Sequence, residues 1–266
     1  MLGHLRVEPG EPARLVERDT ADTLGLHKAE ALRRTERLRE RIDELQYLLH
    51  AEARRSVLLV LQGLDASGKD GVIRSVFDGV NPQGVRVTSF KAPVGRELQH
   101  DYLWRIHAVL PPRGTIGVFN RSHYEDVVTV RVLGLAPEEV WSRRTGHIRE
   151  FERLLVDEGT SIVKVFLHVS RDEQRARLQE RIDDPRKRWK FRSGDLDVRA
   201  RFDDFLAGYD DALTETSTEW APWHVVPADR NWVKAYATAA LVCETLERLD
   251  PQLPEPEQGI EGLIVP

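Results

Sequence analysis

The sequence predicts an α/β protein, a three-layer αβα sandwich around a parallel sheet, with a helical extension at its N-terminal side. Three observations carry this reading. Residues 56–62 (Ser-Val-Leu-Leu-Val-Leu-Gln) form a continuous apolar run that stops at Gly63, as a strand buried on both faces would. Further strand candidates at 85–90, 115–119, 161–169 and 224–226 alternate with helix-period segments, which implies βαβ units. The first strand runs directly into a glycine-rich loop and a helical pattern, the arrangement of a phosphate-binding βα turn.

In chain order, residues 1–26 are polar, carry Pro9 and Pro12, and read as a loosely ordered, irregular arm. Residues 27–55 read as a helix, with Leu38, Ile42, Leu45 and Leu49 at helical spacing. Helical patterns follow at 69–78, 96–109, 122–133, 137–158, 171–182, 196–216 and 232–249. No domain boundary is visible between 56 and 249, so residues 27–249 are expected to form one domain, with a helical insertion around 183–216. The tail, 250–266, holds four prolines and reads as irregular surface chain.

With 266 residues, 41% hydrophobic and 31% charged, the chain has the composition of a soluble globular protein. No apolar run approaches the roughly 20 residues that span a bilayer, and Met1–Glu11 lacks a signal-peptide pattern. The one cysteine, Cys243, lies in an apolar helical stretch and excludes a disulfide framework. These features lead us to expect a cytoplasmic protein without a membrane partner. A net charge of −5 argues against a general nucleic-acid binder. Residues 171–192 are nevertheless rich in Arg and Lys, which points to a bound polyanion.

The strongest local signal is Gly63-Leu64-Asp65-Ala66-Ser67-Gly68-Lys69-Asp70-Gly71, with the G-x-x-x-x-G-K spacing of a Walker A loop. The preceding buried strand and the following helix pattern supply its proper context; a strand-to-helix turn without a ligand is the alternative. Glycines let successive backbone N–H groups of Gly63, Ala66, Ser67, Gly68, Lys69, Asp70 and Gly71 turn inward toward phosphate oxygens. Lys69 supplies a mobile cation. The residue after the lysine is Asp70 rather than the usual Ser or Thr that holds Mg²⁺. Asp65 would repel phosphate unless a cation stood between them, so it reads as the Mg²⁺ ligand, with a helix-capping role as the alternative.

The strand at 115–119 ends in Asn120-Arg121-Ser122-His123-Tyr124-Glu125-Asp126. Ligands of open α/β sheets gather at such strand ends. Asn120 occupies the position of a Walker B aspartate, Arg121 can stabilise a transferring phosphoryl group, and Glu125 lies one helical turn on. A surface salt bridge is the alternative for Arg121, and His123 reads as a packing residue. A basic segment from Arg177 to Phe191 includes Arg181, Arg186, Lys187, Arg188 and Lys190, with Trp189 and Phe191 among the cations. It reads as a lid, at about 183–195, that closes over phosphates, against the alternative of a solvated charged helix.

These residues make the chain P-loop kinase-like, and their blocks resemble the family-2 polyphosphate kinases. The blocks are Gly63–Gly71, then Ser89-Phe90-Lys91-Ala92-Pro93, then Phe119–Val127, then Pro185–Phe191 running into Gly194-Asp195-Leu196, and finally Glu219–Trp223 with Val226–Arg230. The resemblance covers about 27–249. It implies phosphoryl transfer from inorganic polyphosphate to AMP or ADP, with ATP among the nucleotides, reversibly and with Mg²⁺, or Mn²⁺ in its place. It implies Asp65, Lys69 and Arg121 as catalytic residues, Asp65 as metal ligand, and Asn120, Arg121 and Glu125 at the nucleotide. Lys91 and Arg131 join the polyphosphate-binding set, and a homodimer or homotetramer is expected. The Asn-Arg-Ser-His-Tyr-Glu-Asp form is similar to the subgroup that accepts both AMP and ADP. An ATP-dependent small-molecule or nucleoside kinase, and a non-catalytic P-loop sensor, stand as alternatives.

Overall fold

The computed structural model describes residues 2–260 and 262–265. A fully parallel five-stranded sheet holds β1 (Ser56–Gln62), β2 (Val85–Ser89), β3 (Ile116–Asn120), β4 (Thr160–His168) and β5 (Trp223–Pro227), in the spatial order β2-β3-β1-β4-β5. The helices are α1 (Lys28–Glu52), α2 (Lys69–Val76), α3 (Trp104–His107), α4 (Val128–Val132), α5 (Glu138–Trp141), α6 (Arg144–Asp157), α7 (Arg171–Asp183), α8 (Gly194–Ala200), α9 (Phe202–Thr216) and α10 (Asn231–Leu249). On one side α10 packs against α1, α2, β4 and β5; on the other α6 packs against β4 and α9, and α9 against α4. The result is the three-layer sandwich that strand–helix alternation predicts.

The central strand β1 is buried along its whole length, paired with β3 on one side and β4 on the other. Its apolar run therefore has no polar face to alternate with. Outer β2 is largely exposed. The chain reaches β2 and β3 on one side of β1 and then crosses to β4 on the other. The direction of winding thus reverses around β1, which leaves a crevice at its carboxyl end. No helix among the described residues is long and apolar enough to cross a membrane.

Four expectations are corrected. The arm at 2–26 is irregular but not loose. It buries Leu5, Val7, Ala13 and Leu15, and Val7 N donates to Trp223 O (2.8 Å) beside an Arg6–His224 bridge to β5. The helical pattern at 96–109 breaks into a 3-10 turn, Gly95–Gln99, and the single turn α3, because local carboxylates capture the backbone. Glu97 accepts from Val94 N (3.0 Å) and Asp101 from Leu103 N (2.9 Å). At 122–133 the Ser122 hydroxyl caps a 3-10 turn, His123–Asp126, before α4 begins. Residues 202–216 are no insertion: α9 buries Phe202, Phe205, Tyr209 and Leu213 and forms part of a layer.

One buried ionic cluster joins the layers behind the crevice. Lys164 of β4 donates to Glu152 of α6 (2.6 Å), to Thr216 O (2.7 Å) and to the Tyr124 hydroxyl (3.0 Å), which itself donates to Glu152 (2.8 Å). His123 is buried alongside, 3.5 Å from Glu152, in keeping with a packing residue. Breaking such a pair from one side leaves an uncompensated buried charge. Glu152→Ala is expected to lose about 3–5 kcal/mol of stability in denaturant unfolding. The double variant Glu152→Leu/Lys164→Met should recover part of that loss.

Candidate active site

The phosphate loop leaves β1 at Gly63, whose φ of +148° suits glycine; a Cβ there would come within 2.8 Å of Leu167 O and of Ser67 Oγ. Gly68, at φ +96°, ends the loop, and a Cβ on it would run into Lys234 Nζ. Between them Ala66 takes a left-handed φ of +62°. The carbonyls of Asp65, Ala66 and Ser67 turn outward to named donors. Gln174 Nε2 donates to Asp65 O (3.1 Å), Arg177 Nη1 to Ala66 O and Ser67 O (3.0 Å each), and Lys234 Nζ to Ser67 O (2.7 Å). Outward carbonyls leave N–H groups for the inside of the loop, where an anion can take them; Ser67 N is not among these, since it donates to Leu64 O (3.1 Å).

Lys69 opens α2 with its ammonium folded back on the loop, donating to Gly63 O (2.7 Å) and Leu64 O (3.3 Å). Burial first, and then the neighbouring Arg121 guanidinium, push its pKa down to about 8. Arg121 leaves β3 in a left-handed conformation (φ +64°), its amide donating to Leu61 O (3.0 Å). Its guanidinium ion-pairs with Asp65 and donates to Glu125 (3.0 Å). Glu125, outweighing burial, and Asp65 raise its pKa further. Burial works to raise the Asp65 carboxyl, but Arg121, Lys69 and Arg181 together hold it below the ordinary value. No side chain caps α2, so Asp65 faces the cleft rather than the helix. Glu125 is fixed by Thr129 Oγ1 (2.7 Å) and, with the buried Gln62 amide turned so that its nitrogen faces the carboxylate, by that nitrogen (3.0 Å), with the Tyr209 hydroxyl 3.4 Å away. Asn120 Nδ2 donates to Asp70 (2.6 Å).

The structure therefore brings Asp65, Lys69, Arg121, Glu125, Asn120 and Asp70 to one place, with Arg181 close enough to act on Asp65. It holds the other candidates elsewhere. Arg186 pairs with Asp184, Lys187 with Glu180, and Arg188 Nε with Ile182 O (2.7 Å), while Lys190 lies over Trp189 (5.3 Å). Arg131 pairs with Asp211 (2.6 Å) over the Trp141 ring, and Lys91 is exposed, its carbonyl accepting from Arg105 (2.7 Å). The residues that the sequence reading missed are Gln174, Lys234 and Tyr209. Lys234 is one cation in an apolar helical stretch, and no local pattern shows which way it faces.

Asp65, Asp70 and Asn120 offer only oxygen ligands. Among the described residues no three His, Cys, Asp or Glu side chains gather into a metal cage. Such a donor set suits a cation that takes one or two carboxylates and fills its shell with water and phosphate oxygens, as Mg²⁺ does.

The profile of the polyphosphate kinase 2 (PPK2) family matches residues 25–254. The chain belongs to this family. A PPK2 relative from Meiothermus ruber, named AMP/ADP-polyphosphate phosphotransferase, is 52% identical over 262 residues, 98% of each chain. An ADP-polyphosphate phosphotransferase of Rhodopseudomonas palustris is 49% identical over 81% of this chain and 79% of its own. The solved PPK2 structure from Arthrobacter aurescens TC1 superposes with a TM-score of 0.93 at 42% identity, covering 97% of this chain and 93% of that one.

In this PPK2 chain the lysine titration yields a direct test. A bound phosphate favours the ammonium form, so affinity for pyrophosphate should fall as pH rises through about 8. Titration calorimetry across that range should show the step in the wild type. Lys69→Arg, charged throughout, should lack it.

Proposed function

We propose that the chain transfers phosphoryl groups from inorganic polyphosphate to AMP or ADP, reversibly and with a divalent cation, Mg²⁺ for preference. The observation that supports this most is the meeting of Asp65, Lys69 and Arg121 at the carboxyl ends of β1 and β3. It occurs in a chain similar over nearly its whole length to a protein named for that reaction. The direct test supplies purified protein with Mg²⁺, polyphosphate and either AMP or ADP, then resolves the nucleotides formed. Phosphorylation from ATP alone, with none from polyphosphate, overturns the reading.

Phosphoryl transfer asks little covalent chemistry of a protein. It asks for in-line positioning and for fixed positive charge around the migrating group. The inward N–H groups of the loop hold phosphate oxygens of the donor. Lys69 has only carbonyl partners in the loop, and a phosphate is a stronger acceptor, so it can swing to the transferring group. Arg121 places its guanidinium between the loop and the second strand end, where charge passes from donor to acceptor. A divalent cation held by Asp65, with help from Asp70 or Asn120, would neutralise phosphate charge when bound. Glu125 keeps Arg121 in place and borders the nucleotide side.

Asp65→Asn keeps the side-chain shape and loses the charge. Activity at saturating substrate should collapse, with partial recovery at raised Mg²⁺ or with Mn²⁺, as read by steady-state assay. Near-normal activity would remove Asp65 from the metal site.

The lid cations should matter more to the polymer than to the nucleotide. Arg186 is exposed and Lys187 partly so, and they hold their carboxylate partners weakly, since surface pairs contribute roughly 0–1 kcal/mol. A polyanion can therefore draw them away. Arg186→Gln/Lys187→Gln should raise KM for polyphosphate more than KM for nucleotide, and should flatten the dependence of the former on salt. Equal effects on both substrates would place these side chains at the transferring group instead.

A further inference from the structure

The phosphate loop is held from outside by a run of hydrogen bonds that ends in the N-terminal arm. Arg177 is its centre. One nitrogen, Nη1, donates to Ala66 O and Ser67 O; the other, Nη2, donates to Ala228 O (2.7 Å) and Asp229 O (2.9 Å) on the loop between β5 and α10. The guanidinium is planar, so the position of residues 228–229 sets where its other edge meets the phosphate loop. Asp229 is itself a junction. Its carboxylate accepts from Ser170 N (2.8 Å) at the start of α7 and from the Thr20 hydroxyl (2.8 Å) of the arm. Asp229 N donates to Thr20 O (3.1 Å), and the Arg230 guanidinium donates to Ala21 O.

The arm is shaped to make this contact. Arg18 gathers it by donating to Ala13 O (2.8 Å) and His4 O (3.0 Å), and Leu15 N donates to Asp210 of α9 (2.5 Å). Ala66 is a non-glycine residue with positive φ, a conformation that persists only where the surroundings impose it. Arg177 is the group that holds its carbonyl. We propose that the N-terminal arm is a positioning element of the phosphate loop, acting through Thr20 and Asp229 on Arg177. The arm thereby sets the direction of the loop's N–H groups. The inference rests on the phosphotransferase reading for its rate effect but not for its effect on anion binding. The arm residues that make these contacts, Thr20 and Ala21, precede residue 25, where the match to the family profile begins.

The test compares Thr20→Val, Thr20→Ser and Ser217→Ala in the full chain. Thr20→Val removes the hydroxyl that reaches Asp229 and keeps the volume. Loss of one such hydrogen bond should lower both kcat and affinity for pyrophosphate by about 5- to 10-fold, leave KM for nucleotide unchanged, and be reversed in Thr20→Ser. Ser217→Ala instead frees the arm at its far end, where Ser217 Oγ donates to Val7 O (2.5 Å). It should lower Tm and leave kcat and pyrophosphate affinity as they were. Unchanged pyrophosphate affinity in Thr20→Val overturns the inference, as does an equal loss in Ser217→Ala, which would make the arm a general stabiliser. A wild-type protein inactive with polyphosphate would sink the phosphotransferase reading alone, because calorimetry with pyrophosphate still tests the arm.

Discussion

Arg121 bears the opposing charges on which the site depends. Two carboxylates, Asp65 and Glu125, stand at the mouth of a loop built for anions, and without a cation between them they would repel each other and any phosphate. One guanidinium fork engages both. Asp65 belongs to the phosphate loop and Glu125 to the turn after β3. Arg121 therefore aligns two separate strand ends by charge, where side-chain packing would leave more play. Its backbone pays a small conformational cost to do so, at a positive φ, with its amide anchored on the neighbouring strand at Leu61.

A second layer of charge lies behind the loop. Lys234 and Arg177 are cations directed at carbonyl oxygens rather than at the cleft. They fix the loop's outer face, and their charge also adds to the positive potential inside it. Lys234 bears the strain of this: burial, and then Arg177, lower its pKa to about 7. Lys69 also rests on carbonyls, those of Gly63 and Leu64, but it does so beside Arg121 and Asp65 at the crevice. Two cations thus hold the loop from outside, while Lys69 stands on its cleft side beside Arg121 and Asp65.

The sheet was readable in the sequence because parallel strands buried on both faces leave continuous apolar runs, as at 56–62, and because the loop's glycines sit where the backbone demands them. Asp65, Lys69 and Arg121 were readable for a related reason: each lies at a strand end within a local spacing rule. What stayed hidden depends on contacts far apart in sequence. Gln174 looks like a member of a charged helix until its partner at Asp65 is known, and Arg177, read as the start of a lid, instead holds the carbonyls of Ala66 and Ser67. Lys234 sits 167 residues from the carbonyl it binds. The arm was misread because its buried residues, Leu5, Val7, Ala13 and Leu15, follow neither helical nor strand period. Its prolines and polar residues said only that it forms no regular element.

The docking of the arm bears on the order in which the molecule can assemble. Its bonds reach forward to residues 210–230 across about three quarters of the chain, such as Leu15 to Asp210 at a separation of 195 residues. A ribosome delivers the arm well before the surface on which it docks. Until those later residues have emerged, the arm's buried side chains have no surface to pack on. The crevice, fed by strands from both sides of β1, cannot acquire its outer brace until α9, β5 and the start of α10 have emerged. The arm is made ahead of the surface that holds it, so its long contact can close only once residues 210–230 are in place.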